Sequence, residues 1–165
     1  MIKDIAIFQD PKSQISEAYR TLRSNLQFSL VDKESSIIGV TSCAPGEGKS
    51  TVVSNLAVAM AESGKKTLLI DCDLRKPTIH KRFGISNSHG LTSLLLKEST
   101  LEQGIHRTEI ENLTVIPSGP IPPNPSEILG SENMKKLLEK VRGTFDIIFI
   151  DTPPVLGFSD VFALT

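Results

Sequence analysis

The chain has 165 residues, and 39% of them are hydrophobic, which suits one domain with a core of ordinary size. Eighteen Lys and Arg against 19 Asp and Glu give a net charge of -1, so no nucleic-acid partner is indicated and only a local basic patch stays open. Two cysteines are too few for a disulfide scaffold, no apolar run nears the ~20 residues of a membrane span, and no signal peptide is evident, so we expect an intracellular location.

The first third of the chain predicts an extended arm over 1–12 and then an amphipathic helix over 14–30 with Ser13 as its N-cap. The apolar residues at helical spacing are Ile15, Ala18, Tyr19, Leu22, Leu26 and Leu30. After a polar break, the run 37–40 predicts a buried strand. A glycine-rich turn over 44–48 then leads into a helix from about 49 to 63, which Gly64 ends.

Three further apolar runs, 67–70, 113–116 and 147–150, also predict buried strands. A helix over about 126–142, introduced by a proline-rich segment, separates the last two. Strands separated by helical segments indicate an α/β fold in three layers, with a parallel sheet that has helices on both faces. In such sheets, ligands bind beyond the carboxyl ends of the strands.

The glycine-rich segment between the first strand and its helix has the residues of a phosphate site. It reads Ala44-Pro45-Gly46-Glu47-Gly48-Lys49-Ser50-Thr51. Glycines let backbone N–H groups approach a phosphate closely, and the helix adds its N-terminal dipole. Lys49 adds a positive charge, and Ser50 offers a hydroxyl to Mg²⁺. Cys43 stands where the usual pattern has glycine, which weakens the match without removing a phosphate-binding group. The alternative, a tight turn with a surface lysine, is disfavoured by the strand and helix around it.

Three aspartates, Asp71, Asp73 and Asp151, follow two of the predicted strands at the edge that carries the glycine-rich segment. One such aspartate alone could be only a helix cap or a turn residue. Three of them beside a phosphate site fit Mg²⁺, which binds carboxylates and waters alongside phosphate oxygens. One carboxylate can then hold the metal while another accepts a proton from an attacking hydroxyl.

The remaining reactive side chains give weaker signals. We expect Cys43 and Cys72 to be small buried residues and the three histidines, His80, His89 and His106, to be structural or solvated. Two basic pairs, Arg75-Lys76 and Lys81-Arg82, either form a solvated face or steer phosphates and acidic partners.

Taken together, these segments resemble the bacterial tyrosine kinases of capsule and exopolysaccharide synthesis (the CpsD/CapB type) over essentially the whole chain. The resemblance rests on Glu17-Ala18-Tyr19-Arg20-Thr21-Leu22-Arg23, on the P-loop 44–51, on the Walker A′-like segment 69–77, on 118–129 and on the Walker B strand that ends Asp151-Thr152-Pro153-Pro154. It implies a P-loop NTPase-type fold that transfers phosphate from ATP to tyrosine with Mg²⁺. Residues 1–165 are then one kinase domain, with an oligomerisation helix at about 14–30 and a nucleotide-binding core over 36–165.

The resemblance also assigns roles to residues. It implies that Lys49 contacts the phosphates, that Ser50 and Asp151 organise Mg²⁺, that Asp71 is the best candidate for the base, and that Asp73 assists the metal or the nucleophile. The family's Glu-x-x-Arg-x-x-Arg pattern matches Glu17, Arg20 and Arg23 and is implicated in ring-shaped self-assembly. From the residues alone, Glu17 and Arg20 could simply form an intrahelical pair.

Partners and location follow from the same resemblance. It implies protein tyrosines as substrates and a membrane-anchored activator of the polysaccharide co-polymerase type, which would hold this cytoplasmic domain at the inner face of the plasma membrane. Such kinases continue past the Walker B strand and modify a tyrosine-rich tail, whereas this sequence ends at Thr165 and has only Tyr19. We therefore expect a truncated domain with little autophosphorylation and with Tyr19 buried.

Two other functions stay open. The chain could be a P-loop ATPase of the partitioning or division-site type, or a nucleotide-binding scaffold without turnover. Those ATPases usually carry a second lysine early in the loop, where this chain has Ala44, and this favours the kinase.

Overall fold

The computed structural model describes residues 1–31 and 33–155, and a twisted sheet forms the centre of this part. Within it the strands are β1 (Ser36–Val40), β2 (Thr67–Asp71), β3 (His106–Arg107), β4 (Leu113–Ile116) and β5 (Ile147–Asp151). They lie in the order β1-β5-β2-β4-β3, and every neighbouring pair is parallel except the antiparallel pair of β3 and β4. The predicted parallel sheet is thus confirmed for four strands, and β3 is a short antiparallel addition that no sequence pattern indicated.

Eight helices surround the sheet in the described ranges. They are α1 (Ala6–Gln9), α2 (Gln14–Ser29), α3 (Lys49–Glu62), α4 (Ile79–Phe83), α5 (Leu91–Leu95), α6 (Leu101–Gly104), α7 (Pro125–Leu129) and α8 (Glu132–Arg142). The predictions for α2 and α3 are confirmed, and Ser13 caps α2 by accepting a hydrogen bond from the Ser16 N–H. The single helix predicted over 126–142 is wrong. The segment forms two helices, because the first helix ends at Gly130 and Ser131 caps a second helix.

The side chains of the central strands alternate between two cores, one on each face of the sheet. Leu69 and Phe149 face the first core, where they pack with α3 and the N-terminal residues. Leu68, Ile70 and Ile148 face the second core, where they pack with α5, α7 and α8. Since a strand points successive side chains to opposite faces, these continuous apolar runs bury both faces. The expected three-layer arrangement with helices on both faces is therefore confirmed.

The N-terminal segment departs from the extended arm predicted over 1–12. It contains α1, and its isoleucines Ile2, Ile5 and Ile7 are buried in the first core. Arms without tertiary contacts keep such side chains exposed, so this segment, here called the N-terminal strap (residues 2–7), is part of the fold. Its contacts with α3 and α4 place it close to the glycine-rich loop, as described below.

Two burial expectations also need correction. The predicted apolar stripe of α2 is only partly turned inwards: Tyr19 packs against the first core, whereas Ile15 is 60% exposed and Leu22 is 40% exposed. The strand β1 is only partly buried, because in the described part of the chain it has one neighbouring strand, β5, and lies at the sheet edge. Exposed apolar side chains on α2 leave a surface that is free for another contact.

Candidate active site

The glycine-rich loop joins β1 to α3 and forms one wall of a cleft of about 340 Å³. Gly46 and Gly48 have φ angles of 81° and 85°, a left-handed conformation that favours glycine, and Gly48 is the N-cap of α3. The Glu47 carboxylate accepts a hydrogen bond from the Ala44 N–H at 3.0 Å and closes the loop on itself. All the residues predicted to bind phosphate line this cleft: Pro45, Gly46, Glu47, Gly48, Lys49, Ser50 and Thr51.

Lys49 is the centre of a buried charge cluster in this cleft. Its ammonium donates to Asp73 Oδ2 at 3.0 Å and lies 3.2 Å from Asp151 Oδ1. The side chains of Lys49 and Asp73 are each 9% exposed, and that of Asp151 is fully buried. Burial alone lowers the pKa of Lys49, but the carboxylates of Asp151 and Asp73 outweigh it and raise that pKa. Lys49 therefore stays charged beside the position where phosphates would lie.

A hydroxyl and a carboxylate meet next to Lys49. The Ser50 hydroxyl donates to Asp151 Oδ2 at 2.6 Å. Burial raises the pKa of Asp151, and the Lys49 ammonium and the Ser50 hydroxyl oppose that rise. The other oxygen, Asp151 Oδ1, is buried and accepts no hydrogen bond from the described residues. Oxygen atoms of this kind are the ligands that Mg²⁺ prefers.

No group of three His, Cys, Asp or Glu side chains in the described ranges could enclose a metal ion by itself. Mg²⁺ usually keeps several waters and takes only one or two carboxylates beside substrate phosphates. The Ser50 hydroxyl and the Asp151 carboxylate have the oxygen chemistry that would fit Mg²⁺ bound together with a nucleotide.

Asp71 lies in β2 opposite Asp151 in β5 and is fully buried. Its Oδ1 accepts from the Asp73 N–H at 3.1 Å and its Oδ2 from the Ile79 N–H at 3.2 Å. Burial, together with the negative charge of Asp151, raises the pKa of Asp71 well above its usual value. Asp71 thus anchors the loop that follows β2 below the cleft, whereas Asp73 lines the cleft itself.

The basic residues after β2 divide between the cleft and the surface. Arg75, Lys76 and Arg82 line the cleft, while Lys81 is exposed. Sequence reasoning left both basic pairs open and did not single out Arg82, whose guanidinium donates to Thr51 Oγ1 at 2.9 Å. The expectation of two buried cysteines is right for Cys72 and wrong for Cys43, which is exposed on the loop.

The three residues of the predicted assembly motif lie on α2 and do not line the cleft. Glu17 and Arg20 form the intrahelical ion pair that the spacing allows, and Arg20 also donates to the Pro11 carbonyl at 2.7 Å. Arg23 Nη1 donates to the Ala59 carbonyl on α3 at 3.3 Å. Self-assembly through these residues stays a prediction.

A loop between a parallel strand and a helix, with a lysine, a hydroxyl and acidic strand ends around one cleft, defines a P-loop nucleotide-binding domain. Residues 35–165 match the family described as AAA domain. The chain is 48% identical to the tyrosine-protein kinase YwqD of Bacillus subtilis, over 97% of this chain and 68% of YwqD. It is 40% identical to the putative tyrosine-protein kinase CapB of Staphylococcus aureus, over 96% of this chain and 70% of CapB. The chain therefore belongs to the family of bacterial tyrosine-protein kinases.

Solved structures agree with this family. The kinase domain of the Escherichia coli tyrosine kinase ETK superposes with a TM-score of 0.93 at 37% identity, over 99% of this chain and 64% of that one. MinD from Pyrococcus horikoshii, a septum site-determining protein solved with Mg-ADP, gives a TM-score of 0.66 at 29% identity, over 79% of this chain and 54% of that one. The kinase domain is the better match in fold and sequence, so the tyrosine-kinase prediction is confirmed over the division-site ATPase.

Two earlier expectations stay predictions. The expected truncation concerns the end of the chain, and residues 156–165 lie outside the described ranges. Association with a membrane is likewise untested, and none of the helices described here has the length and apolar character to cross a bilayer.

Proposed function

We propose that this chain binds ATP in the P-loop cleft and, with Mg²⁺, transfers the terminal phosphoryl group to tyrosine hydroxyls of protein substrates. The observation that carries the proposal is the contact of Lys49 and Ser50 with Asp151, at the end of the cleft where α3 begins. Membership of the tyrosine-kinase family indicates that the acceptor is a tyrosine hydroxyl. The residues of the cleft are suited to bind a phosphate chain.

The phosphate chain of ATP would be held by the loop and by Lys49. The glycines expose backbone N–H groups, and the first turn of α3 directs its positive dipole end at the same place. Lys49 has a flexible stem, so its ammonium can move from Asp73 to phosphate oxygens while it stays near Asp151. Asp73 would then no longer be held by the Lys49 ammonium.

The acidic side chains would have separate roles in binding Mg²⁺ and in activating the tyrosine hydroxyl. Ser50 and Asp151 would hold Mg²⁺, which neutralises charge that develops on the transferred phosphoryl group. Asp71 is our candidate for the base, because it lies opposite Asp151 at the edge of the sheet that borders the cleft. Burial and the negative charge of Asp151 raise the pKa of its carboxyl, which favours proton uptake. Asp73, which lines the cleft, would orient the tyrosine hydroxyl.

The test uses a variant that has no tyrosine of its own. Tyr19 is the single tyrosine of the sequence, so in the Tyr19→Phe chain every phosphotyrosine must be on the substrate. We expect this variant, incubated with ATP, Mg²⁺ and a tyrosine-rich peptide, to phosphorylate the peptide, as mass spectrometry would show. Phosphate release without peptide modification would identify an ATPase instead, and nucleotide binding with neither product would identify a scaffold.

Tyr19 itself is expected to stay unmodified in the parent chain. Its ring packs against the first core, and burial raises the pKa of its hydroxyl although the charge of Arg82 opposes that rise. Phosphorylation would place about two negative charges in this contact. Peptide mapping after incubation with ATP and Mg²⁺ checks the prediction, and stoichiometric phosphate on Tyr19 would contradict the packing of α2 described here.

We also propose that the chain assembles into a ring through α2. In polysaccharide synthesis it would work with a membrane-anchored activator, which would hold it at the inner face of the plasma membrane. The support for assembly is the exposed surface of α2, which has the exposed apolar side chains Ile15 and Leu22 on one side and the exposed carboxylate of Glu17 on another. A helix with exposed apolar and charged side chains suits a head-to-tail contact that closes into a ring.

The assembly proposal predicts that Glu17→Arg lowers self-association without unfolding the domain. The side chain of Glu17 is 67% exposed, so its reversal disturbs little inside the monomer. Sedimentation velocity should show a smaller species for Glu17→Arg than for the parent under conditions in which the parent assembles. Glu139→Arg, a reversal at an exposed position of α8, is the matched control and should sediment like the parent. Equal sedimentation of all three proteins would remove α2 from the interface.

A further inference from the structure

Arg82 joins three separate parts of the chain beside the nucleotide cleft. It lies on α4, half-buried, and its Nη2 donates to Thr51 Oγ1 at 2.9 Å. Its Nη1 donates to the Asp4 carbonyl at 3.2 Å, and its own carbonyl accepts from the Lys3 N–H at 2.7 Å. The guanidinium is therefore held between the N-terminal strap and the first turn of the P-loop helix.

The charge of Arg82 has no counter-charge in the described part of the chain. Its guanidinium donates to a hydroxyl and to a carbonyl, and its buried Nε has no hydrogen-bond partner among the described residues. No carboxylate in the described ranges forms an ion pair with it. Shielding part of a guanidinium from water without an anion costs solvation energy. Since Arg82 lines the cleft, an anion bound in the cleft would offset that cost.

The Thr51 hydroxyl is placed to link Arg82 to a ligand by hydrogen bonds. It is the third residue of α3 and lines the cleft. Because its oxygen accepts from Arg82, its hydroxyl hydrogen can donate to a ligand, and hydrogen bonds in a chain strengthen one another. The Thr51 carbonyl accepts from Asn55 Nδ2 at 2.9 Å, and Asn55 Oδ1 accepts from the Ile7 N–H at 3.0 Å. The strap thus fixes Thr51 by two independent routes.

We infer that Arg82 is a positioning residue for the phosphates of a nucleoside di- or triphosphate. It orients the Thr51 hydroxyl towards the phosphate chain and places a positive charge beside it, and the N-terminal strap holds the guanidinium in this position. The inference rests on the proposed function, because it deepens the account of the same cleft. It assigns to α4 and the strap a part in nucleotide affinity in addition to their part in the fold.

The test compares ADP and ATP affinities of Arg82 variants by titration calorimetry. We expect Arg82→Met to bind both nucleotides about tenfold or more weakly, since a hydrogen bond that involves a charged group is commonly worth that much. Arg82→Lys keeps the charge but not the planar fork and should recover only part of the affinity. Lys81→Met removes a charge from the exposed neighbour on α4 and is the matched control, with parental affinity expected.

A double-mutant cycle with Thr51→Val separates action through Thr51 from an independent effect. If Arg82 acts through the threonine hydroxyl, the double variant binds ADP little more weakly than the weaker single variant. Full additivity of the two losses would overturn the positioning role. Melting temperatures measured in parallel identify a purely structural role: a less stable Arg82→Met protein with parental ADP affinity would also overturn the inference.

The remaining outcomes are equally decisive. If Arg82→Met does not fold, Arg82→Lys and Thr51→Val carry the test, and parental ADP affinity in both would overturn the inference. If the Arg82 variants bind ADP and ATP with parental affinity while Lys49→Met loses affinity, this inference is overturned and the proposed function is not. A parent chain that binds neither nucleotide would overturn both.

Discussion

Replacing Lys49 with methionine is expected to reduce phosphoryl transfer roughly 10²–10³-fold, the usual effect of removing one preorganised donor from a developing negative charge. Methionine keeps most of the length of the side chain but removes the charge. The glycine-rich loop and the dipole of α3 remain in the variant, so some nucleotide affinity should persist. Lys49→Arg is the matched variant, because it keeps the charge with a different shape.

The same substitution is expected to lower the free energy of unfolding. Asp73 and Asp151 lose the ammonium that lies 3.0 and 3.2 Å from their oxygens. Removing one partner of a buried ion pair leaves the other charge uncompensated and commonly costs about 3–5 kcal/mol. Lys49→Arg should be affected much less, since it still compensates both carboxylates.

The stability loss should depend on pH in a defined direction. Burial raises the pKa of Asp151, and the Lys49 ammonium opposes that rise, so the pKa in the variant lies still further above the unfolded value. A raised folded-state pKa means that stability is fully present below the unfolded pKa and is lost as pH rises through the folded-state pKa. Parent and variant share the same unfolded pKa, so the stability gap between them should widen as pH rises above the raised folded-state pKa of Asp151 in the parent and narrow below it.

Urea unfolding of both proteins without Mg²⁺ at several pH values measures this gap, and transfer to a tyrosine peptide measures the activity. Unchanged nucleotide affinity together with unchanged transfer in Lys49→Met would contradict the role of the P-loop. A stability gap that does not vary with pH would contradict the buried ion pair.

The central strands and the phosphate loop were predictable because each has a signal that depends little on the rest of the chain. Apolar runs such as 67–70 and 147–150 are buried on both faces of a parallel sheet, so the pattern itself reports the environment. The loop 44–51 combines glycines, a lysine and a hydroxyl at a spacing that few other structures require. Asp71 and Asp151 came together because parallel strands end at the same edge.

The errors arose where tertiary contacts decide between similar local patterns. The apolar positions of α2 are not all turned towards the core: packing against the first core only partly buries Tyr19, which we expected to be buried, and leaves Ile15 and Leu22 exposed. The strap has isoleucines without a helical or strand period, so its burial depends on partners far along the chain. Arg82 reaches Thr51 across 31 residues of sequence, a contact that no local spacing indicates.

One error had a readable signal. The break between α7 and α8 lies at Gly130-Ser131, and glycine followed by an N-cap serine is a sequence pattern for the end of one helix and the start of the next. The Ser131 hydroxyl accepts from the Met134 N–H at 3.3 Å, which is the bond that the pattern predicts.

Asparagine substitutions test the charges of Asp151 and Asp71, because asparagine keeps the size of the side chain and removes its charge. Asp151→Asn is expected to reduce transfer by two or more orders of magnitude while nucleotide binding falls much less. The buried carboxylate accepts from Ser50 at 2.6 Å and faces Lys49, and an amide can satisfy only part of this arrangement. If Asp151 holds the metal, raising the Mg²⁺ concentration should recover part of the lost activity.

Asp71→Asn separates the base from the metal ligand. Its amide oxygen can accept from the N–H of Asp73 or of Ile79, but its NH₂ group then faces the other N–H, so the loop after β2 loses one hydrogen bond. A base contributes roughly 10²–10⁴-fold, and no concentration of Mg²⁺ replaces a proton acceptor. We therefore expect Asp71→Asn to lose transfer without recovery by Mg²⁺, whereas Asp151→Asn recovers in part. If added Mg²⁺ restores the activity of Asp71→Asn, Asp71 is not the base, and Asp73, which lines the cleft, becomes the candidate. Near-normal transfer in Asp71→Asn would show that Asp71 only anchors the loop after β2.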